Sequence, residues 1–158
     1  MKRDVLINIR GIQRIDNEKD VTELFTQGKF YRQNGNYYIT YDESEATGFE
    51  GCKTTLKVEA DKITLIRSGT ARSHLIVERG ARNLGRYGTA AGDLMIGVNA
   101  KQVCSGLTDE GGELYFSYSL DVNSSLVSEN EVFIEVKQDT GTAPAPQEDK
   151  STGMEYPL

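Results

Sequence analysis

Several residue types that would point to a particular class of protein are scarce in this chain. There is no tryptophan, one histidine, two cysteines and three prolines among 158 residues. Cys52 and Cys104 lie far apart and form no CxxC pair, which argues against the common zinc and thiol-redox motifs, so we expect two free thiols and no metal or cofactor. No apolar run approaches the roughly 20 residues that a membrane helix needs, and no such helix is predicted.

Positively charged residues are also fewer than negatively charged ones. The chain carries 18 Lys and Arg against 24 Asp and Glu, a net charge of −6. Because nucleic-acid binding depends on a basic surface that contacts phosphates, this balance argues against it. Near the amino terminus the apolar residues alternate with Asn8 and Arg10, so the continuous hydrophobic segment of a secretory signal is missing. We therefore expect a cytoplasmic protein without nucleic-acid or membrane partners.

What the chain does have is a period-two alternation of apolar and polar residues, which is typical of half-buried strands. The alternation is clearest over residues 114–122 and recurs over 94–101 and 132–137. Turn sequences such as Asn34-Gly35 separate these runs at short intervals. Residues 20–25 have helical spacing, but their surroundings favour a strand. The pattern predicts an all-β fold, a single antiparallel up-and-down β-barrel of about 8–10 strands, because closure removes exposed sheet edges.

The composition changes abruptly after residue 137. Residues 138–158 are rich in Thr, Gly, Ala, Pro and charged side chains and carry little apolar surface that could be buried. We therefore predict one barrel domain, residues 1–137, followed by a disordered tail, residues 138–158.

Four short motifs follow one another at characteristic spacing: 41–51 with Phe49-Glu50-Gly51, the strand 63–69, Tyr87-Gly88-Thr89, and Tyr118-Ser119-Leu120. Their order resembles the YwiB-like family of small bacterial proteins of uncharacterised function. The resemblance implies a calycin-type, lipocalin-like barrel and no particular activity. Ala90 and Ala91 depart from the family, which usually carries a proline and an aromatic residue there.

Candidate ligand-binding residues are expected on the inside of this barrel: Arg67, Tyr87, Thr89, Tyr118 and Glu50. Arg67 shares a strand face with Ile63 and Leu65 and should point inward, where a charge needs a partner or a ligand. Glu50 could be that partner. Tyr87 and Thr89 would line or close the barrel, and tyrosine offers an apolar ring with a polar tip.

No set of residues in the sequence indicates an enzyme. His74, the sole histidine, has no acid or nucleophile at a recognisable spacing, so catalysis is not expected. The acidic stretch Asp42, Glu43, Glu45 and Glu50 lacks the alternation of a calcium loop, and we expect it to be a solvated loop.

The basic hairpin between Arg67 and Arg86 allows two interpretations. It could bind an anion if its arginines converged, because the guanidinium group suits carboxylates and phosphates. The favoured interpretation is a solvated hairpin whose charges diverge, with Arg67 as the exception.

Two functions are consistent with these features. The first is binding of a small, partly apolar or anionic ligand inside the barrel. The alternative is a packed barrel that serves as a non-enzymatic protein–protein interaction module or forms a homodimer. Tyr115, Phe133 and Met95, on the faces opposite the apolar stripes, would then form the contact patch.

Overall fold

The computed structural model describes residues 2–89 and 91–140, and this part of the chain forms ten strands and one short 3-10 turn, Glu45–Thr47. The strands are β1 (Arg3–Ile15), β2 (Glu18–Gln33), β3 (Asn36–Asp42), β4 (Cys52–Val58), β5 (Lys62–Gly69), β6 (Ser73–Glu78), β7 (Arg82–Thr89), β8 (Gly92–Ser105), β9 (Gly112–Val122) and β10 (Ser125–Gln138). Each strand pairs antiparallel with the next, and β10 pairs with β1 to close the barrel. The predicted all-β, up-and-down barrel is confirmed.

The hairpin between β2 and β3 shows how local sequence directs this fold. Asn34 and Gly35 have φ angles of 55° and 83°. Both values lie in the left-handed region of backbone conformations, which Asn and Gly adopt more easily than other residues. This conformation gives a two-residue turn the twist that a β-hairpin requires. Residues 20–25, the one segment with helical spacing, lie within β2 as expected.

The barrel interior is filled with apolar side chains over much of its length. The largest fully buried residues include Ile7, Ile39, Leu56, Ile63 and Leu114. Leu107, from the loop between β8 and β9, also packs against this core. The interior of the barrel is therefore mostly filled by side chains.

Gly28 on β2 is a point where the interior has no room for a side chain. A Cβ atom there would lie 2.6 Å from Ile7 Cδ1 and closer still to the Thr40 carbonyl oxygen. We expect Gly28→Ala to lower the free energy of unfolding by about 1–3 kcal/mol, because a packed core must shift to accept the methyl group. Urea unfolding measures this change.

Gly11 on β1 supplies the matched control, since it also faces the interior. A Cβ at Gly11 would meet only the Glu131 carbonyl oxygen, at 4.0 Å. Gly11→Ala should therefore leave stability unchanged or raise it, because alanine restricts the unfolded chain more than glycine does. Equal stability of the two variants would contradict the packing argument.

At its carboxyl end the barrel extends slightly past the predicted domain boundary. β10 continues through Gln138, and the Asp139 N–H donates to the Asp4 carbonyl oxygen at 3.1 Å. The tail predicted to be disordered lies, from residue 141, outside the described residues. Over residues 2–89 and 91–140, the structure contains no helix with the length and apolar character needed to cross a membrane.

Candidate functional site

One row of residues runs along the barrel wall from β3 to β7. Strand pairing places the following residues side by side on consecutive strands: Tyr41, Thr54, Arg67, Ser73 and Tyr87. Tyr41, Thr54 and Ser73 are buried, so the row faces the interior. The pairing register thus brings Arg67 and Tyr87, 20 positions apart in the sequence, to the same level of the barrel.

Arg67 is enclosed at this level and is paired with Glu43. Their side chains are only 10% and 2% exposed, and Arg67 Nη2 lies 3.4 Å from Glu43 Oε2. Arg67 Nε also donates to Thr54 Oγ1 at 3.2 Å. The guanidinium group sits 3.9 Å from the centre of the Phe49 ring, close enough for a cation–π interaction. The partner of the inward arginine is therefore Glu43, and Glu50 does not take that role.

Glu43 is the centre of a hydrogen-bonded cluster. Its Oε1 accepts from the Thr47 hydroxyl at 2.7 Å, and its Oε2 accepts from the Thr54 hydroxyl. Burial raises the pKa of Tyr41, and Tyr41 lies close enough to this carboxylate for the charge of Glu43 to raise the pKa further. The expectation that the acidic stretch is a solvated loop is thus wrong for Glu43. The period-two alternation that turns Tyr41 inward and Asp42 outward continues to Glu43, and that continuation is the signal that could have identified it.

Of the other predicted site residues, two lie near Arg67 inside the barrel and two lie on its surface. Tyr118 borders the interior cavity, and Tyr87 packs edge-on against Phe49 with ring centres 6.3 Å apart. Thr89 is exposed and its hydroxyl donates to the Gly92 carbonyl oxygen at 2.6 Å, so it stabilises a turn. Glu50 is exposed, and its carbonyl oxygen accepts from the Thr70 hydroxyl at 3.1 Å. The structure therefore brings three of the five residues into one region and leaves Thr89 and Glu50 outside it.

A cavity of about 200 Å³ lies inside the barrel beside this cluster. Most of its wall is apolar and includes Ile9, Leu24, Leu65, Phe116 and Val132. The polar part of the wall consists of Tyr41, Glu43, Thr22, Thr47, Arg67 and Tyr118. Three residues at this site were not predicted from the sequence: Tyr41, Glu43 and Phe49.

The two tyrosines at the cavity remain protonated well above neutral pH. Burial raises the pKa of Tyr118 to about 12, with the neighbouring Tyr87 adding to the effect. Burial also raises the pKa of Tyr41, and the charge of Glu43 raises it further. Both hydroxyl groups can therefore donate hydrogen bonds under physiological conditions.

The remaining arginines of the basic hairpin diverge. Arg79 donates to the Val103 carbonyl oxygen at 2.6 Å, and Arg82 binds Asp121 through two hydrogen bonds of 2.7 and 3.1 Å. Arg86 is exposed, 3.8 Å from Asp93. In the part of the chain that the structure describes, no three His, Cys, Asp or Glu side chains come together as a metal site requires. The hairpin is thus a set of separate ion pairs and polar contacts.

The outer surface carries a second, shallower feature. Tyr115 and Phe133 are in contact, with ring centres 4.7 Å apart, and they border a groove of about 520 Å³. Arg10 lies over the Phe133 ring at 5.6 Å. Met95 is 67% exposed but is paired with Arg86 on β7, away from that groove. Two of the three predicted contact residues therefore share a patch.

Comparison with known proteins agrees with this architecture. A family model described as a domain of unknown function (DUF1934) matches residues 7–134. The chain is similar to the uncharacterized beta-barrel protein YwiB of Bacillus subtilis (strain 168), with 25% identity over 118 residues that cover 75% of this chain and 82% of YwiB. The crystal structure of the B. subtilis ywiB protein matches with a TM-score of 0.76 at 20% identity, covering 88% of this chain and 94% of that one. The structural match shows a shared fold.

Proposed function

The chain belongs to the DUF1934 family of domains of unknown function, and on that premise we propose that its barrel binds one small, partly apolar molecule in the interior cavity. The observation that carries this proposal is the cavity of about 200 Å³, which has an apolar wall and a cluster of polar groups at its edge. Small-molecule sites typically combine a mainly apolar enclosure with a few placed polar groups. As the resemblance implies, we also propose a calycin-type barrel that acts in the cytoplasm.

The volume restricts the size of the ligand. Sites for drug-sized molecules typically measure about 300–1,000 Å³, whereas a dry protein cavity of about 150 Å³ is known to take up benzene. The cavity of about 200 Å³ in this barrel therefore suits a single ring or a short chain.

The buried ion pair beside the cavity supports binding over simple imperfect packing. Removing Arg67 and Glu43 from water is costly, and a core of apolar side chains would often be as stable or more stable. A ligand that uses the polar groups gives a reason for their presence at the cavity wall. The groups are held by one another, as the contacts of Glu43 with Thr47 and Thr54 show, so they favour binding without chemical conversion.

Filling the cavity from Gly11 provides the test. Gly11 lines the cavity, and a Cβ there meets no atom closer than 4.0 Å. We expect Gly11→Leu to fold normally and to weaken binding of acetophenone, used as a single-ring probe, at least about tenfold, because its side chain occupies the ligand volume. Two-dimensional ¹H–¹⁵N NMR titration measures the binding, and thermal unfolding verifies the fold.

Gly106→Leu is the matched control. It adds the same side chain in the loop after β8, at the outer groove and outside the interior cavity, where the nearest contact of a Cβ is the Glu113 carbonyl oxygen at 3.4 Å. This variant should bind the probe as the original protein does. Binding that survives in Gly11→Leu, or that is absent from the original protein, would contradict the proposed function.

A second candidate function, contact with a protein partner or a second copy of the chain, is supported by the outer groove. The groove is bordered by the Tyr115–Phe133 pair, and Phe25, which is 75% exposed on β2, is paired with the groove residue Asn8. The two functions are separable, because Gly11→Leu changes only the interior. An association that persists in Gly11→Leu would depend on the outer surface.

A further inference from the structure

The polar groups that line the cavity have no net charge. Among the described lining residues, Arg67 is the one cation and Glu43 the one anion, and they are paired within the wall. Resting on the proposed function, we propose that the ligand is an uncharged molecule with a hydrogen-bond acceptor, such as a carbonyl oxygen, directed at Arg67. This proposal excludes carboxylates and protonated amines as ligands of the interior cavity.

At the two charged groups of the site, the hydrogen-bonding capacity that remains lies mainly on the donor side. The Glu43 carboxylate already accepts from Thr47, Thr54 and Arg67. A guanidinium group has five N–H donors. Arg67 uses Nε for Thr54 and Nη2 for Glu43, and within residues 2–89 and 91–140 no acceptor contacts its Nη1. Among the described residues no hydrogen bond to the Tyr118 hydroxyl is found, and Tyr118 lines the cavity together with Arg67, so both side chains have donors left for a ligand that supplies an acceptor.

A carboxylate ligand would meet an obstacle that a neutral acceptor avoids. It would add a second negative charge to an enclosed apolar site that already holds Glu43, and an uncompensated buried charge is strongly disfavoured. It would have to displace Glu43 from Arg67 or take up a proton. A cation would be repelled by Arg67, and the Glu43 charge that could attract it is already paired with that arginine.

Three probes of nearly equal shape test this assignment: acetophenone, benzoate and ethylbenzene. Acetophenone has a neutral acceptor, benzoate a charged one, and ethylbenzene none. We expect acetophenone to bind about tenfold more tightly than ethylbenzene, since one hydrogen bond to a charged donor is worth about that factor in a buried site. It should also bind about tenfold more tightly than benzoate, which would bury a second negative charge beside Glu43. Dissociation constants come from NMR titration at neutral pH.

Glu43→Gln tests the charge argument directly. The amide keeps the size of the side chain but removes its charge, so Arg67 is left without compensation. The preference should invert, with benzoate binding at least about tenfold more tightly than acetophenone, because the ligand now supplies the missing negative charge. If this variant does not fold, the three-probe comparison in the original protein still tests whether the ligand is an uncharged acceptor.

The outcomes separate the two proposals. If benzoate binds the original protein more tightly than acetophenone, the ligand-class assignment is overturned while interior binding stands. If ethylbenzene binds as tightly as acetophenone, the hydrogen-bond donors do not contribute to binding, and the site recognises its ligand through apolar contacts alone. If none of the three probes binds up to its solubility limit, the proposed function fails and the ligand class fails with it.

Discussion

Replacing Arg67 with methionine is expected to lower the free energy of unfolding by about 3–5 kcal/mol, as breaking a buried ion pair from one side does. The side chain of its partner Glu43 is only 2% exposed, and it would remain as an uncompensated charge among apolar groups. The stacking contact of the guanidinium group with Phe49 would also be lost. Chemical denaturation at neutral pH measures the change.

Two further variants test whether the loss of stability comes from breaking the buried ion pair or would follow from removing any arginine. Arg86→Met removes an exposed arginine, 56% accessible and 3.8 Å from Asp93, and should change stability by less than about 0.5 kcal/mol. The double variant Arg67→Met with Glu43→Leu should recover most of the stability lost in Arg67→Met, because an apolar pair can replace a buried ion pair. If Arg67→Met costs no more than Arg86→Met, the interior pair contributes little and this account of it is wrong.

Alkaline conditions are expected to destabilise the barrel steeply. Tyr118 has a pKa of about 12 in the folded protein, whereas tyrosine in an unfolded chain titrates near pH 10. Above pH 10 the unfolded chain therefore binds fewer protons than the folded one, so stability falls as pH rises. The loss attributable to Tyr118 should reach about 2 kcal/mol by pH 12 and should be absent below about pH 9. Tyr41, whose pKa is also raised, adds to the effect.

Urea denaturation at pH values from 8 to 11, the accessible part of this range, measures the alkaline slope. Tyr118→Phe removes one of the two phenols at the cavity and should reduce the slope, and adding Tyr41→Phe should reduce it further. The phenyl ring keeps the packing at each position, so the comparison isolates the hydroxyl. A slope that is identical in the original protein and in the double variant would show that the two phenols do not drive the alkaline loss.

The fold was largely predictable because its signals are local. The alternation over residues 114–122 describes β9 closely, and Asn34-Gly35 forms the hairpin that its residue types favour. A period of two also sufficed to turn Arg67 toward the interior, on the face of Ile63 and Leu65.

The site was predicted only in part, because its contacts cross between strands. Arg67, Tyr87 and Tyr118 lie together in one region of the barrel, whereas Thr89 belongs to a turn and Glu50 to the surface. Glu43 was assigned to solvent because it stands in a run of acids. Within that run, the only sequence feature that marks Glu43 as facing inward is its position two residues after the inward-facing Tyr41.

The sequence by itself determined which residues form strands, where the chain turns and which side chains face inward, since these follow from backbone preferences and a local period of two. The tertiary structure alone decided which inward residues meet. Glu43 and Arg67 are 24 positions apart, and the pairing of β3, β4 and β5 sets their level in the barrel. Closure through β1 and β10 then encloses the pair with Tyr118 around one cavity. Because register depends on hydrogen bonds between distant segments, the wall of that cavity is a property of the closed barrel and of no single strand.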